Sequence, residues 1–294
     1  MPEIRTALRP SGPYDLRLVA RGAGDPTRRF RDGVFECVYE TANGRARARV
    51  WQRRVGELRV VLEADEPDLA LGKLRFVLAV DDDHTPFLRR FAHDPLIGPA
   101  TRRRQGMRPL RTATATHALL GGLCGQLIAE REARSIAARV IRTFGRPHAG
   151  FVLPPQRADV ASLSPAQLAR CGLVARRASA LVRISRALDL ERLHNVPTAA
   201  AVQRLCRERT IGPWTAGVVC LRGLGRREQG LVGDLALIKL CSALLGRQAS
   251  AEDTAELLAR YRDWAGYASI YLMGCAPASS APSSALAGLQ SRAA

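Results

Sequence analysis

Ten residues from Thr210 to Val219, TIGPWTAGVV, set a glycine, a proline and a tryptophan side by side between two runs that both read as helices. A helix ends near Arg209 or Thr210, the chain turns through Ile211 and Gly212, and Pro213 opens the next helix. Proline is well placed there, because its missing N–H would have had no partner within the helix. The N–H groups of such a turn point outward together and suit a phosphate oxygen. By spacing alone an ordinary αα-hairpin reads the same way. Twenty residues after Trp214, Asp234 in LVGDLALIK stands at the start of another helix, where a carboxylate is a good N-cap and the helix dipole favours an anion.

Other reactive residue types are scattered. The histidines at 84, 93, 117, 148 and 194 have no metal-ligand spacing. The seven cysteines are odd in number, far apart and without a CxxC pair, which argues against a disulfide framework, zinc or an iron–sulfur cluster and for a reduced, intracellular setting. GLGRREQG is glycine-rich, but no strand precedes it and no GK[ST] follows, so it reads as a loop rather than a nucleotide cradle. DDDH, at 81–84, reads as a solvated acidic turn.

The net charge of +18 comes from 45 basic and 27 acidic residues, and lysine occurs only at Lys73 and Lys239. An arginine excess of this kind also follows from base composition, so its distribution says more than its size. Residues 1–100 hold 17 basic and 15 acidic side chains, whereas residues 101–275 hold 27 and 12. The second part is therefore expected to carry an anion-binding surface, with RRRQGMRPLR at 102–111 as a linker able to touch phosphate. No apolar run approaches the ~18 residues needed to cross a bilayer. No secretory signal opens the chain, so a cytoplasmic protein without a membrane partner is expected.

The elements that must hold these residues divide the same way. VFECVYE, RARARVWQRRV and ELRVVLEA alternate with period two, TANGRA marks a hairpin between the first two, and EPDLALGKLRFVLAV follows as a helix. From residue 112 the pattern turns helical. HALLGGLCGQLIAEREARSIAARVIRTFG predicts two helices parted at its glycines and stopped by Gly145 and Pro147. SLSPAQLARCG predicts a short helix with a Ser164 cap and Pro165 at its first position. The fold class is α+β: an antiparallel-sheet domain over 1–100, an all-α domain over 101–275, and a Pro/Ser/Ala-rich tail over 276–294 expected to be disordered.

IGPWTAG followed by Asp234 resembles the helix-hairpin-helix DNA glycosylases, in particular the alkylated-base, 3-methyladenine type II group. GQLI in the first helix pair, CGLVARRASALVRISRALD and the final YRDWAGYASIYLMG match further segments of that family. The resemblance covers about 110–275 well and 14–90 loosely. It implies a TATA-binding-protein-like sheet in the first domain and a monofunctional enzyme of base excision repair acting on damaged bases in double-stranded DNA. It implies Asp234 as the catalytic carboxylate, stabilising positive charge on the deoxyribose as the glycosidic bond breaks. Trp214 stands where bifunctional members carry a Schiff-base lysine and would line the base pocket, with Val218, Tyr267, Tyr271 and Met273 around it. Leu127 would be the wedge that fills the gap left by a flipped nucleotide, and Gln126 would contact the opposite strand. Main-chain N–H groups of Thr210, Ile211, Gly212 and Thr215 would grip a phosphate. No cofactor is required, although a monovalent cation, K+ or Na+, on the carbonyls of Cys206, Glu208 and Ile211 is implied. A monomer without a nucleotide cofactor is expected.

The chain departs from the family in three places. Arg209-Thr210 replaces the hairpin's Pro-Gly, Val218 stands where a pocket aromatic is usual, and Met273 where a second Trp is. Less aromatic surface is left to stack a cationic base. Two other readings follow from this: a non-catalytic DNA-binding module, and a glycosylase for neutral lesions such as hypoxanthine or uracil.

Overall fold

A computed structural model describes residues 1–273; the tail expected to be disordered over 276–294, and Cys275, lie outside the described residues. The first part of the chain is a six-stranded antiparallel sheet in the order β1-β6-β5-β4-β3-β2. Its strands are β1 (Glu3–Leu8), β2 (Gly24–Asp25), β3 (Arg28–Arg31), β4 (Val34–Thr41), β5 (Gly44–Arg54) and β6 (Glu57–Ala64), with α1 (Leu16–Ala20) and α2 (Pro67–Val77) beside them. In β5 the period of two sends Ala46, Ala48 and Val50 into the core and Arg45, Arg47 and Arg49 outward. Alanines at the inward positions leave room for α2, and the Tyr39 hydroxyl crosses that gap to donate to the Ala70 carbonyl at 2.8 Å. Outside, Glu36 accepts from Arg29 at 2.6 Å and Arg47 at 3.3 Å, so the arginine stripe is partly neutralised by its neighbours.

The remaining helices are α3 (Thr85–Arg90), α4 (Gly98–Arg103), α5 (Ala115–Gly125), α6 (Glu130–Phe144), α7 (Arg157–Ser162), α8 (Pro165–Arg170), α9 (Ala175–Ala187), α10 (Thr198–Cys206), α11 (Pro213–Val218), α12 (Leu235–Leu245), α13 (Ala251–Ala259) and α14 (Ala265–Leu272). A small hairpin, β7 (Arg146–His148) and β8 (Phe151–Leu153), covers Val38 of the sheet. It turns through Ala149 and Gly150, both at positive φ, a signal hidden in sequence because alanine rarely adopts that conformation. The expected pair of helices at 117–145 is present, but the break follows Gly125, while Gly121 and Gly122 lie inside α5. Ser164 caps α8 as its sequence predicts, accepting from the Gln167 N–H.

The helices form two lobes. One buries the inward faces of α5 to α11 around Leu119, Leu181 and Val219. The other gathers α12 to α14 with α3 and α4 around Phe87, Leu237, Tyr267 and Tyr271. Residues 85–103 therefore pack with the last helices of the chain and not with the sheet, so packing parts the chain nearer residue 80 than the expected boundary at 100.

Two arginines of the linker expected to touch phosphate form a structural clamp instead, while Arg102 and Arg103 stay exposed. Arg108 is buried and donates to the carbonyls of Ala79 at 2.6 Å, Val80 at 3.0 Å and Pro13 at 2.9 Å, and also to that of Ser11. Arg111 is buried too, paired with Asp82 at 2.5 Å. Asp82, in the acidic turn, also accepts from Tyr267 at 2.8 Å. These arginines are consumed in joining the sheet to the helices. Arg108→Met is expected to lower stability by about 3–5 kcal/mol in urea unfolding, because buried carbonyls on two segments lose a charged donor.

Candidate active site

Asp234 opens α12, and its Oδ1 accepts from the Ala236 N–H at 2.9 Å as a true N-cap. Its other oxygen, Oδ2, accepts from the Trp214 indole N–H at 2.9 Å. Trp214 is the second residue of α11, so this bond links one helical lobe to the other. One carboxylate oxygen is thus fixed by its own helix and the other by the hairpin, which leaves little freedom to the side chain. Asp234 and Trp214 are both half-buried and line a cleft of about 980 Å³ between the lobes and the sheet domain.

The walls fit close to the indole. A Cβ at Gly125 would lie 2.8 Å from the Trp214 ring, so glycine is what lets the end of α5 lie against it. Gly125→Ala is expected to push the ring off its bond to Asp234 and slow base excision about 10-fold, at a stability cost of about 1 kcal/mol. Single-turnover kinetics beside a melting curve checks both.

Val218 and Met273 line the cleft with Trp214, as expected. Tyr267 and Tyr271 do not. Both are fully buried in the second lobe, where Tyr267 donates to Asp82 and Tyr271 to the carbonyls of Arg104 at 2.9 Å and Met107 at 3.1 Å. The reason is helical phase: their face of α14 packs on Phe87, and Ile270 and Met273 take the cleft side. Trp214 is therefore the sole aromatic side chain lining the cleft among the described residues.

Leu127 follows α5 with φ of +54° and is 76% exposed, a large apolar side chain held out in left-handed backbone. Leucine rarely adopts that region, and such an outlier at an exposed tip points to a functional constraint. Gln126 is placed differently from expectation. Its side-chain NH2 donates at 2.9 Å to both the Thr210 carbonyl and Thr215 Oγ1, tying α5 to the hairpin rather than facing outward to a second strand.

The hairpin accommodates Arg209-Thr210 without strain, since no residue from 209 to 212 has positive φ and Gly212 is extended at φ −91° and ψ 179°. Of the main-chain donors expected to face a phosphate, that of Thr210 is bound by the Glu208 carboxylate and that of Ile211 by the Glu208 carbonyl at 2.8 Å. The first turn of α11 carries no side-chain cap; of the other two residues, Gly212 is exposed and Thr215 is buried. The Glu208 carbonyl, one of the three implied for a cation, thus accepts one hydrogen bond and keeps its second lone pair. No group of three or more His, Cys, Asp or Glu able to hold a metal occurs among the described residues.

Sequence reasoning missed several polar residues of the cleft. His117 and Arg222 line it together with Asp25 and Arg28. Asp25 is satisfied by Thr27 at 2.6 Å and Arg28 at 3.0 Å. Burial pushes the His117 imidazole down to about 4, so it is neutral at pH 7. Arg222 stands four residues beyond Val218 and eight beyond Trp214, in the π-helical turn Val219–Gly223 that continues α11. It is open to the cleft, yet protein packed around it on the other sides, followed by the charge of Arg28, lowers its proton affinity.

No family model matches the chain. It is 28% identical over 205 residues to the DNA-3-methyladenine glycosylase of Bacillus subtilis, across 66% of this chain and 67% of that protein. Its fold is similar to that of a 3-methyladenine DNA-glycosylase from Archaeoglobus fulgidus, with a TM-score of 0.78 and 20% identity, covering 91% of this chain and 97% of the other. It is similar also to an 8-oxoguanine glycosylase/lyase from Clostridium acetobutylicum solved in complex with double-stranded DNA, with a TM-score of 0.73 and 15% identity, covering 91% and 96%. No described helix is long and apolar enough to cross a membrane.

Proposed function

We infer that this chain, a member of the helix-hairpin-helix DNA glycosylases in the 3-methyladenine group, removes alkylated bases from double-stranded DNA and leaves an abasic site. The observation that carries the reading is the Trp214–Asp234 bond at 2.9 Å, which holds a carboxylate in a cleft of about 980 Å³, ample for a flipped-out nucleotide. The exposed Leu127 at the end of α5 accompanies it.

In this reading a damaged nucleotide rotates out of the duplex and Leu127 fills the gap, offsetting part of an unstacking cost of a few kcal/mol. The base enters beside Trp214 and Val218, which brings the deoxyribose over Asp234. As the bond from C1′ to the base nitrogen breaks, its electron pair leaves with the base and positive charge grows on the sugar. Asp234 stabilises that charge without reorganising, because both its oxygens are already positioned. Water then adds to C1′. Gly212 and the first turn of α11 would hold a flanking phosphate, with the exposed Arg207 and Arg209 adding salt-sensitive attraction. No step is routed through a cation at the hairpin. The sheet domain would be of the TATA-binding-protein-like type, and the enzyme a cytoplasmic monomer.

Trp214 cannot form the imine that strand cleavage needs. Lys239 does line the cleft, on α12 five residues beyond Asp234, and no hydrogen bond or ion pair joins the two among the described residues. A panel of lesion-containing duplexes, incubated with and without alkali, tests the assignment. Strand breaks only after alkali are expected. Breaks without alkali, or trapping of Lys239 by borohydride, would make it a lyase, and no breaks on any lesion would make it a binding module.

A further inference from the structure

The indole of Trp214 gives the cleft a direction. Its N–H meets Asp234 at 2.9 Å, while another edge of the ring lies against Gly125, where a Cβ would approach Cη2 to 2.8 Å. A base stacked on that ring with its sugar at Asp234 therefore turns its far side towards α5. Beyond Gly125 one face of α5 continues along the cleft through Gly121, Ala118 and His117, with Gly121 about 6 Å and His117 about 12 Å back along the axis. The space in front of Gly121 is open, since a Cβ there would meet no atom of a neighbouring element within 4 Å. Ala133 and Ala137 of α6 and Gly24 of the sheet domain line the same cleft, again with small side chains. Its volume of about 980 Å³ is at the upper end of the range that holds a whole small ligand, about 300–1,000 Å³, whereas a flipped base needs only a snug pocket.

His117 is a second, independent sign of a ligand. It is 9% exposed, lines the cleft, and its ring makes no hydrogen bond among the described residues. The charges acting on it, Asp25 and Arg28, are paired with each other at 3.0 Å. A neutral imidazole offers one donor and one acceptor, and a buried polar group is normally met by a partner.

We propose that this arm of the cleft, from Gly121 to His117, takes the substituent of a purine alkylated at N7, so that the enzyme excises 7-alkylguanines with chains well beyond methyl and favours chains ending in a hydroxyl. This deepens the glycosylase reading and rests on it. N7 suits the direction, because a substituent there projects away from the bond to the sugar, whereas one on N3 runs beside it. As the bond from C1′ to N9 breaks, its electron pair neutralises the cationic ring, which leaves uncharged. Water supplies the oxygen at C1′ and loses a proton. The substituent takes no part in that step; its methylenes leave water for the alanine-lined wall, and a terminal hydroxyl meets the His117 ring.

The test compares kcat/KM on duplexes carrying 7-methylguanine, 7-pentylguanine or 7-(4-hydroxybutyl)guanine at one position, each divided by its spontaneous depurination rate. Wild type is expected to cleave the pentyl base within about 3-fold of the methyl one, and the hydroxybutyl base about 5-fold faster than the pentyl. Gly121→Leu fills the arm. It puts a strong helix former in a helix interior and meets open space, so it should melt no lower than wild type. The pentyl-to-methyl ratio of that variant is expected to fall about 10–100-fold. His117→Leu should bring the hydroxybutyl value down to the pentyl one. A wild-type pentyl value about 100-fold below methyl overturns the proposal without recourse to any variant, as does a Gly121→Leu ratio equal to that of wild type. A hydroxyl preference that survives His117→Leu overturns the part given to the histidine. In each of these cases excision of 7-methylguanine leaves the glycosylase reading standing, whereas no excision on the whole panel would remove that reading and this proposal together.

Discussion

Asp234→Asn is expected to cut base release about 10³-fold, roughly 4 kcal/mol of transition-state stabilisation, while affinity for abasic-site DNA is kept. The substitution isolates the charge. Asparagine has the same shape and is an equally good N-cap, so α12 should still begin at Leu235 and the lobes should still meet. An amide presents one oxygen where the carboxylate presents two, so either the Trp214 N–H or the Ala236 N–H loses its acceptor, at a cost of about 1 kcal/mol. Single-turnover excision beside a binding isotherm on abasic DNA separates the two effects. Excision within a few-fold of wild type would show that the carboxylate is only a cap.

Leu127→Gly should move stability and activity in opposite directions. Leucine at φ +54° is strained by its Cβ, glycine is not, and a side chain 76% exposed surrenders little burial when removed. The melting temperature is therefore expected to rise, by up to about 1 kcal/mol of stability. Excision from duplex DNA should fall about 10–100-fold, because unstacking of the flipped nucleotide is no longer offset. Excision from a single-stranded or mismatched lesion should fall less, since less stacking is lost there. A drop in melting temperature would show that Leu127 is packed, and unchanged excision would show that it is no wedge. The companion variant Leu127→Ala keeps the backbone strain and removes the apolar bulk, so it should lose activity without gaining stability.

Residues whose local chemistry admits one solution were legible in the chain itself. Pro213 after Gly212 fixed the start of α11, Ser164-Pro165 that of α8, and the period of two in RARARVW the inward and outward faces of β5. Trp214 with Asp234, and GQLI with its leucine, could be named because they recur as short motifs in the family this chain resembles. Several outcomes were decided by tertiary packing alone. The face of α14 that meets Phe87 took Tyr267 and Tyr271 out of the cleft, and periodicity in so apolar a helix could not choose that face. The carbonyls of residues 11, 13, 79 and 80 converge on one point only once the sheet is folded, and that convergence turned Arg108 from a phosphate contact into a clamp. Gln126 turned inward because the hairpin offered it an acceptor on each side. Arg222 joined the cleft lining because the fold brings it near the charges of Arg28, Glu130, Arg134 and Asp234 from distant parts of the chain. Sequence determined where elements begin and which side of each is apolar, since those follow from a few adjacent residues. Which polar groups are satisfied and which are left facing the cleft is a property of the assembled molecule, because a hydrogen bond needs both ends in place.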